Sequence, residues 1–334
     1  MSLGRNIRRL VTLARAFWSY RRREAVPSYL PVRLWVEPTN ACNLKCPMCP
    51  RTYRPDVKKG YMDMALFKEI VDEARPFVYN VYLFLGGEPL LHPHLPAMIR
   101  YARSAGMITH LHTNATLLTE ARALALLKAG LDYLTFSFDG YDKDTYERIR
   151  VGADFDRTLS NIVGFLRKKA ELGSLKPHTT LQVIKFNDSL DKAALARKRD
   201  FQRRFEGLPL DKWDVIKPHN FGGKIQGFEG SYRTKSARYS PCPFLWYSLS
   251  VLWDGTIVPC CADLFADYPL GHVKTTGLVG AWRGKRMVAL REKLAQGRYQ
   301  EIELCAECDV LWKKRFFGIP SRRWKDLLNF IAGR

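Results

Sequence analysis

Between about Val32 and His219 the sequence predicts an α/β fold built on a parallel sheet. Three observations carry this. Short β-branched or aromatic runs alternate with helical segments through that stretch. Gly106, Gly130 and Gly173 follow three of the helices, where C-caps belong. Regular strand–helix alternation implies parallel strands joined by right-handed crossovers. In order, the spacing predicts a strand at 34–37, a helix opening on Asp63 over 63–74, and a strand at 78–85. A helix at 95–104 then precedes a strand at 108–112, and a helix at 119–128 precedes a strand at 133–137. A helix at 158–172 leads to a strand at 179–186, and a helix at 192–205 leads to the sixth strand at 213–217. After His219 the character changes. Gly222, Gly223, Gly227 and Gly230 mark a loop. Residues 249–259 read as a hairpin around Asp254-Gly255, and a helix at 288–295 leads to Cys305-Ala306-Glu307-Cys308. No internal repeat or low-complexity tract interrupts the pattern.

The 334 residues are 46% hydrophobic and 26% charged, an ordinary globular composition with length for two domains. Apolar stretches such as 81–85 are far too short to span a bilayer. Arg15 interrupts the run that a signal peptide would need. An intracellular, cytoplasmic protein is the expectation. The formal charge of +21 is concentrated at the ends: seven arginines against Glu24 in residues 1–24, and seven basic residues against Asp326 in 313–334. The body is only mildly basic.

Eight cysteines form two groups: Cys42, Cys46 and Cys49, then Cys242, Cys260, Cys261, Cys305 and Cys308. Intracellular thiols stay reduced, which favours metal binding or catalysis over disulfides. Cys42-Asn43-Leu44-Lys45-Cys46-Pro47-Met48-Cys49 offers three close thiolates with no fourth Cys or His nearby. A structural zinc site usually takes four ligands, whereas three thiolates on a four-iron cluster leave one iron open to a substrate or cofactor. A zinc site completed by a distant residue is the alternative. In the second group, Cys242, Cys260 or Cys261, Cys305 and Cys308 supply the four thiolates of a closed [4Fe–4S] cluster. A zinc knuckle would use the same residues.

Cys42-x3-Cys46-x2-Cys49 resembles the cluster loop of the radical S-adenosylmethionine (radical SAM) enzymes. The resemblance continues in family order. Gly86-Gly87-Glu88-Pro89 is similar to the GGEP motif. Thr113-Asn114-Ala115-Thr116 resembles the TNGT segment, with Ala115 in place of glycine, and Ser137-Phe138-Asp139-Gly140 resembles SxDG. Met48 stands where an aromatic residue is frequent. Each motif falls at the end of an expected strand, where parallel α/β barrels place their active sites. The resemblance implies an open, partial (β/α)6 barrel. The later cysteines resemble a shortened SPASM, or twitch, iron–sulfur domain: one Cys, a hairpin, a Cys after Asp254-Gly255-x3-Pro259, then CxxC. The expected organisation is a basic amphipathic helix in 1–31, the barrel in 32–221, the auxiliary-cluster domain in 222–312 and a basic amphipathic tail in 313–334.

The resemblance implies that Cys42, Cys46 and Cys49 hold a [4Fe–4S] cluster that binds SAM through its open iron. One-electron reduction, by a flavodoxin or ferredoxin, then yields a 5′-deoxyadenosyl radical that takes a hydrogen atom from substrate. Gly86, Gly87, Glu88 and Pro89 would approach the SAM amino group, with Glu88 accepting from it. Ser137 and Asp139 are candidates for the SAM carboxylate or ribose, and Asn114 for the same pocket. Turn capping is the competing role for Ser137 and Asn114. One auxiliary [4Fe–4S] cluster is expected, on Cys242, Cys260, Cys305 and Cys308. Cys260 is preferred because it directly follows Pro259, and adjacent strand residues face opposite sides.

An auxiliary cluster is suited to accept the electron of a substrate radical, so a dehydrogenase resembling the aminocyclitol-oxidising members is the leading expectation. An epimerase with Cys261 as hydrogen donor is the second. A small buried hydrophobe is the commoner fate of a free cysteine. Only about 33 residues precede the first strand and no cobalamin domain does, which argues against peptide maturation and cobalamin-dependent methylation. Arg51, Tyr61, Lys185, Lys217 and His219, the last a candidate catalytic residue, are expected near the barrel mouth. They would suit a sugar, cyclitol, nucleotide or other hydroxylated or anionic small molecule.

At the N-terminus Ile7, Leu10, Val11, Ala14, Phe17 and Trp18 recur at helical spacing opposite most of the arginines; Trp324, Leu327, Leu328 and Ile331 repeat the pattern. The expectation is that each stripe packs on the barrel and exposes its arginines. The alternative is an interfacial helix at the inner face of a membrane, which would make a lipid-linked sugar a natural substrate. Nucleic acid is disfavoured, because no aromatic-rich binding motif accompanies the charge. The competitor from another class is a non-catalytic zinc protein that binds RNA or membrane through its ends.

Overall fold

The computed structural model describes residues 3–185, 192–225 and 238–313 and a short two-stranded ladder at 315–316 and 319–320. The expected C-terminal stripe at 324–331 lies outside the described residues. A helix, α1 (Leu3–Arg22), precedes β1 (Arg33–Val36). The barrel then runs α2 (Met64–Ala74), β2 (Asn80–Tyr82), α3 (Leu95–Ser104), β3 (Ile108–Thr113), α4 (Glu120–Ala129) and β4 (Tyr133–Ser137). It continues with α5 (Lys143–Ile149), α6 (Phe155–Glu171), β5 (His178–Ile184), α7 (Lys192–Arg203) and β6 (Lys212–Ile216). The C-terminal part contributes β7 (Ser248–Val251), β8 (Thr256–Val258), β9 (Gly271–His272), α8 (Val273–Arg283) and α9 (Lys285–Ala295).

The expected helix starts are built from side-chain caps. Asp63 accepts from Ala65 and Leu66 N–H, and Thr119 accepts from Arg122 N–H, each satisfying donors that the first turn leaves over. Gly130 ends α4 at φ +74°, a left-handed C-cap. Two expectations needed correction. The 78–85 run forms only a three-residue strand, because its last residues leave the sheet to build the Gly86–Pro89 loop. Helices α5 and α8 were not expected; α5 is short and opens on the Asp142 cap, whose side chain accepts from Thr145 N–H.

β1 to β6 form one parallel sheet in sequence order. The hairpin after the barrel does not make a separate sheet. β7 pairs in parallel with β1, Leu34 opposite Leu249, and β8 and β9 add antiparallel strands outside it. The nine strands therefore run β6-β5-β4-β3-β2-β1-β7-β8-β9. This pairing joins residues more than 200 positions apart, a contact that local periodicity does not encode.

Alternation along each strand sorts its two faces. Leu134 and Phe136 are fully buried, and Phe136 meets Phe165 of α6 at 5.6 Å. Tyr133, Thr135 and Ser137 therefore face the concave side. There the lower layer is a ladder of rings: Trp35 on Tyr82 (4.8 Å), Tyr82 on His110 (4.2 Å) and His110 on Tyr133 (4.6 Å). Arg33 lies over the rings of Tyr82 and Tyr247 at 5.0 and 5.1 Å. Arg9 of α1 lies over Tyr79, just ahead of β2. The amino-terminal end of the barrel is thus filled, and the carboxyl ends of the strands form the mouth.

Arg291 of α9 fastens the C-terminal part to the rest. Fully buried, it donates from Nε to the Leu245 carbonyl (2.9 Å) and from Nη1 to those of Ala25 (3.1 Å) and Trp282 (3.0 Å). Its guanidinium stacks 4.1 Å from the Trp282 ring. Arg291→Ala leaves three carbonyls without this donor and opens a cavity. A loss of about 3–5 kcal/mol is expected, read as a lower melting temperature and denaturation midpoint. An unchanged midpoint would show that water replaces all three bonds.

Candidate functional site

The three cysteines of the first group lie in the loop after β1, among the carboxyl ends of the strands. The segment ahead of them is held by backbone. Gly87 is pressed so closely on it that an added Cβ would stand 2.2 Å from the Thr39 carbonyl and 2.5 Å from that of Ala41. Glu88 N–H donates to the Ala41 carbonyl (2.8 Å). Thr39 Oγ1 donates to Gly60 (2.6 Å), and Asn40 donates to the Lys58 carbonyl while accepting from Gly60 N–H.

Two buried carboxylates complete the frame. Glu88 accepts from Leu90 N–H (3.0 Å) and Thr113 Oγ1 (2.7 Å) on Oε1, and from Asn114 N–H (2.7 Å) on Oε2. Its charge therefore joins the Gly86–Pro89 loop to β3, and Oε2 keeps room for one more donor. Burial pushes its pKa up against these hydrogen bonds. Glu37, a lone carboxylate with no motif around it, accepts from Gly86 N–H (3.0 Å) and Trp253 N–H (3.3 Å). It ties the end of β1 to the second motif and to the β7–β8 hairpin, and burial raises its pKa to about 7.

Asn114 takes the capping role: its Oδ1 accepts from Thr116 N–H and Oγ1, and its amide reaches Asn43 of the cysteine loop. Asp139 is engaged rather than open. Its side chain is ion-paired with Arg150 and accepts from Ile184 N–H (2.6 Å). The Ser137 hydroxyl, by contrast, makes no side-chain hydrogen bond among the described residues and faces the concave side. Arg150 itself is a residue the sequence reading missed. Burial disfavours its charge, but Asp139 and Cys46 outweigh that and hold its pKa above the usual value. Its charge also acts on Cys49, while Arg51 acts on Cys42 and Cys49. Arg150 Nε and Arg51 Nη1 are buried without a hydrogen-bond partner.

Burial pushes the thiols of Cys42, Cys46 and Cys49 up, so deprotonation there waits on metal. Tetrahedral zinc with Zn–S near 2.3 Å would need its sulfurs within roughly 4 Å of one another. Among the described residues, the grouping of three or more ligand atoms within 4.8 Å is His219, Cys308 and Asp309; neither cysteine group closes that far. The wider spacing and the flanking buried guanidinium donors fit a cluster better than a single ion.

In the second group Cys242, Cys260, Cys305 and Cys308 act electrostatically on one another. Cys242 N-caps a short 3-10 helix (Pro243–Trp246), and Cys308 N-caps another (Asp309–Trp312). Beyond burial, Cys260 feels Cys261, Cys242 and Cys305, whereas Cys261 feels Cys242, Lys313 and, more weakly, Arg33 of β1. Burial holds the Cys261 thiol at about 11. His219, expected at the mouth, is instead packed beside Cys308 and Asp309. Its Nδ1 accepts from Phe221 N–H (2.6 Å), which leaves the proton on Nε2 to face Asp309 Oδ1 at 3.3 Å. Burial, with Lys313, holds its pKa down to about 3. Both nitrogens are committed, so the imidazole positions the loop and has no lone pair for a substrate proton. Tyr61 is half exposed on the loop that pairs with Thr39, and Lys185 and Lys217 follow the ends of β5 and β6.

Two outcomes follow. Gly87→Ala cannot be relieved by a side-chain movement, because the clashing atoms are backbone; the variant should retain less than half of its first-site iron and sulfide after anaerobic reconstitution. Full iron content would show that the 39–41 segment can shift. For Glu37, a folded pKa near 7 against about 4.5 unfolded means that the folded protein holds the extra proton between those values. Its contribution to stability is therefore largest below pH 4.5 and falls as pH rises towards 7, by up to about 3 kcal/mol. Glu37→Gln should remove that share of the decline in melting temperature between pH 5 and 8, and an unchanged pH slope would place the titration elsewhere.

Comparison with known proteins agrees with this geometry. Residues 36–168 match the radical SAM superfamily profile, and residues 242–309 match that of the SPASM iron–sulfur cluster-binding domain. The tungsten-containing aldehyde ferredoxin oxidoreductase cofactor-modifying protein of Pyrococcus furiosus is 24% identical over 83% of this chain and 87% of its own. Other curated relatives match over about a third of their own length. The crystal structure of BtrN with AdoMet and 2-DOIA superposes with a TM-score of 0.56 at 19% identity, covering 84% of this chain and 93% of BtrN. That of Streptococcus suis SuiB bound to precursor peptide SuiA gives 0.65 at 16%, covering 95% and 78%. These likenesses show a shared fold. A radical SAM domain implies a [4Fe–4S] cluster and SAM, and a SPASM domain implies auxiliary iron–sulfur chemistry, which displaces the zinc alternative. Residues 36–168 thus form a radical SAM domain, and residues 242–309 a SPASM domain on its C-terminal side.

Proposed function

We propose that this chain is a radical SAM oxidoreductase that oxidises a small hydroxylated or anionic metabolite and passes one electron to an auxiliary cluster on Cys242, Cys260, Cys305 and Cys308. The observation that carries the reading is the concave wall above the aromatic ladder. Ser137, Gln182 and Asp214 stand in register on β4, β5 and β6, with Gln182 Nε2 donating to Asp214 at 3.3 Å. Hydrogen-bonding groups thus face the mouth at the level of the motif loops, and they suit hydroxyls better than an apolar substrate.

When bound, the first cluster and SAM supply a 5′-deoxyadenosyl radical after one-electron reduction. The chain's residues do the positioning. Cys42, Cys46 and Cys49 would hold the cluster. Gly86 and Gly87 bring backbone close, and the open side of Glu88 Oε2 suits the SAM ammonium. The free Ser137 hydroxyl and the buried guanidinium of Arg150 suit its carboxylate, with Asp139 acting through Arg150. The filled lower barrel keeps water away from the reacting carbon. Oxidation of a secondary alcohol to a ketone releases two electrons and two protons. One hydrogen atom would be lost from carbon and one proton to solvent, and the remaining electron would have to be taken up by a redox centre such as the cluster that Cys242, Cys260, Cys305 and Cys308 would hold.

An epimerase is the second reading: Cys261 is the cysteine left over once Cys242, Cys260, Cys305 and Cys308 hold the auxiliary cluster, and it would serve as the hydrogen-atom donor. That reaction is redox-neutral for the substrate, and the resulting thiyl is restored by one electron and one proton from the reductase. A peptide substrate is the competing class, since SuiB was solved with one.

The deciding measurement is iron and acid-labile sulfide per chain in wild type and two variants. About eight of each is expected for wild type and Cys261→Ala, falling to about four in Cys260→Ala. The reverse pattern would exchange the two cysteines. Turnover with candidate sugars and cyclitols in deuterated water then separates the reactions. Carbonyl product without carbon-bound deuterium supports oxidation, deuterium in an inverted product supports the epimerase, and SAM cleavage stimulated by peptides alone overturns the small-molecule reading.

A further inference from the structure

α1 packs with the wrong face for an ordinary surface helix. The side turned to the protein carries Ala16 and Ser19, both buried, and Tyr20. Tyr20 donates to the Pro241 carbonyl (2.9 Å), bonds Ser240 Oγ (2.9 Å), and meets the Trp246 ring edge-on at 5.5 Å. Arg9 on the same side reaches the Tyr79 ring. The opposite side carries Ile7, Leu10, Val11 and Trp18, each 46–58% exposed, with Ala14 between them. At 100° per residue, positions 7, 11, 14 and 18 form one narrow stripe, with Leu10 at its edge. The expectation that this stripe packs on the barrel is therefore overturned. Helix docking is met by small and hydrogen-bonding residues near Cys242, and the apolar residues are left outside.

Isolated exposed hydrophobes are common on soluble proteins, but a continuous helical stripe with a tryptophan is not. What borders it names the occupant. Arg8, Arg15 and Arg22 recur every seven residues along one edge and Arg21 lies on the other, all exposed, and α1 contains no acidic residue. We propose that α1 seats the protein on an anionic lipid bilayer, with the stripe in the acyl–headgroup boundary and the arginine rows on the phosphates. A second copy of the chain would bring these arginines against each other, and RNA would leave the apolar stripe unused. Arg9 lies over Tyr79 at the amino-terminal end of the sheet, opposite the cysteine triad. The bilayer would thus hold the enzyme with its mouth turned to the aqueous side, and substrate would arrive from there.

The test is co-flotation of the reconstituted holoprotein with phosphatidylcholine vesicles, with and without phosphatidylglycerol, at low and high salt. Binding only to the anionic vesicles, weakened by salt, is expected. Arg8→Gln, Arg15→Gln and Arg22→Gln together should lower partitioning on the order of a hundredfold. Leu10→Ser with Trp18→Ser should lower it roughly tenfold or more. Both variants should keep the wild-type iron content and melting temperature, because these side chains are exposed and the Arg22–Glu24 ion pair lies on the surface, where it contributes little to stability. Absence of flotation, or flotation that neither variant weakens, overturns the proposal. A dimer dispersed by Leu10→Ser with Trp18→Ser, without vesicle binding, would assign the face to a second copy. RNA retention lost with the arginines, again without vesicle binding, would assign it to nucleic acid.

Discussion

The approach of Gly87 to the Thr39–Ala41 backbone is the constraint on which the site depends. With no Cβ in the way, one loop lies on another at hydrogen-bond distance, and Glu88 N–H bonds Ala41 one residue ahead of Cys42. The cysteine loop has little regular structure of its own. Its position is inherited from the end of β2 through this contact, and from β3 because Glu88 also gathers Thr113 and Asn114. Three strand ends are thus fixed relative to one another before any metal arrives. A preformed site matters because its buried thiols resist deprotonation, and a floppy loop would add ordering entropy to that cost.

Charge around the triad is arranged in layers. Asp139 carries Arg150, Arg150 lies beside Cys46, and Arg51 flanks Cys42 and Cys49. Removing a lone arginine from water is expensive, and the partner carboxylate offsets the cost while orienting the planar guanidinium. The result is a cation whose Nε–H is left without a protein partner beside thiolates and a prospective carboxylate ligand. Glu37 and Glu88 do different work. Both accept mainly backbone N–H groups, so they act as joints between loops. The combination explains why a site rich in carboxylates can still suit an anionic ligand.

The motif loops were legible in the sequence because their information is local: cysteine spacing, a Gly-Gly step, and turn residues at strand ends. Helix caps at Asp63, Thr119 and Gly130 were legible for the same reason. Glu37 and Arg150 were not, since a lone Glu after a strand and a lone Arg after a short helix carry no pattern. Their meaning comes from Gly86, Trp253 and Asp139, 49, 216 and 11 residues away in sequence. His219 misled for a related reason, because its partners Asp309 and Cys308 come from the far end of the chain. For α1 the period gave the stripe and even its arginine edges, but amphipathicity fixes only that two faces differ. Which one meets the protein was decided by Tyr20 and its bonds to Ser240 and Pro241.

The parallel pairing of β7 with β1 changes how the two cysteine groups relate. Had the C-terminal part been a separate domain on a linker, the distance between its cysteines and the triad would vary with domain motion. Instead β1 leads directly into the loop bearing Cys42, and its neighbour β7 begins six residues after Cys242. Glu37 crosses the same boundary by bonding Gly86 and Trp253, and Arg291 closes it from behind by binding Ala25, Leu245 and Trp282. A shared hydrogen-bond ladder, a buried carboxylate and a buried guanidinium make barrel and cysteine domain one body. Electron transfer falls steeply with distance, so an electron acceptor is useful only if its separation from the substrate is held. On the proposed oxidoreductase reading the continuous sheet would supply that fixed separation, which a tethered zinc knuckle would not need.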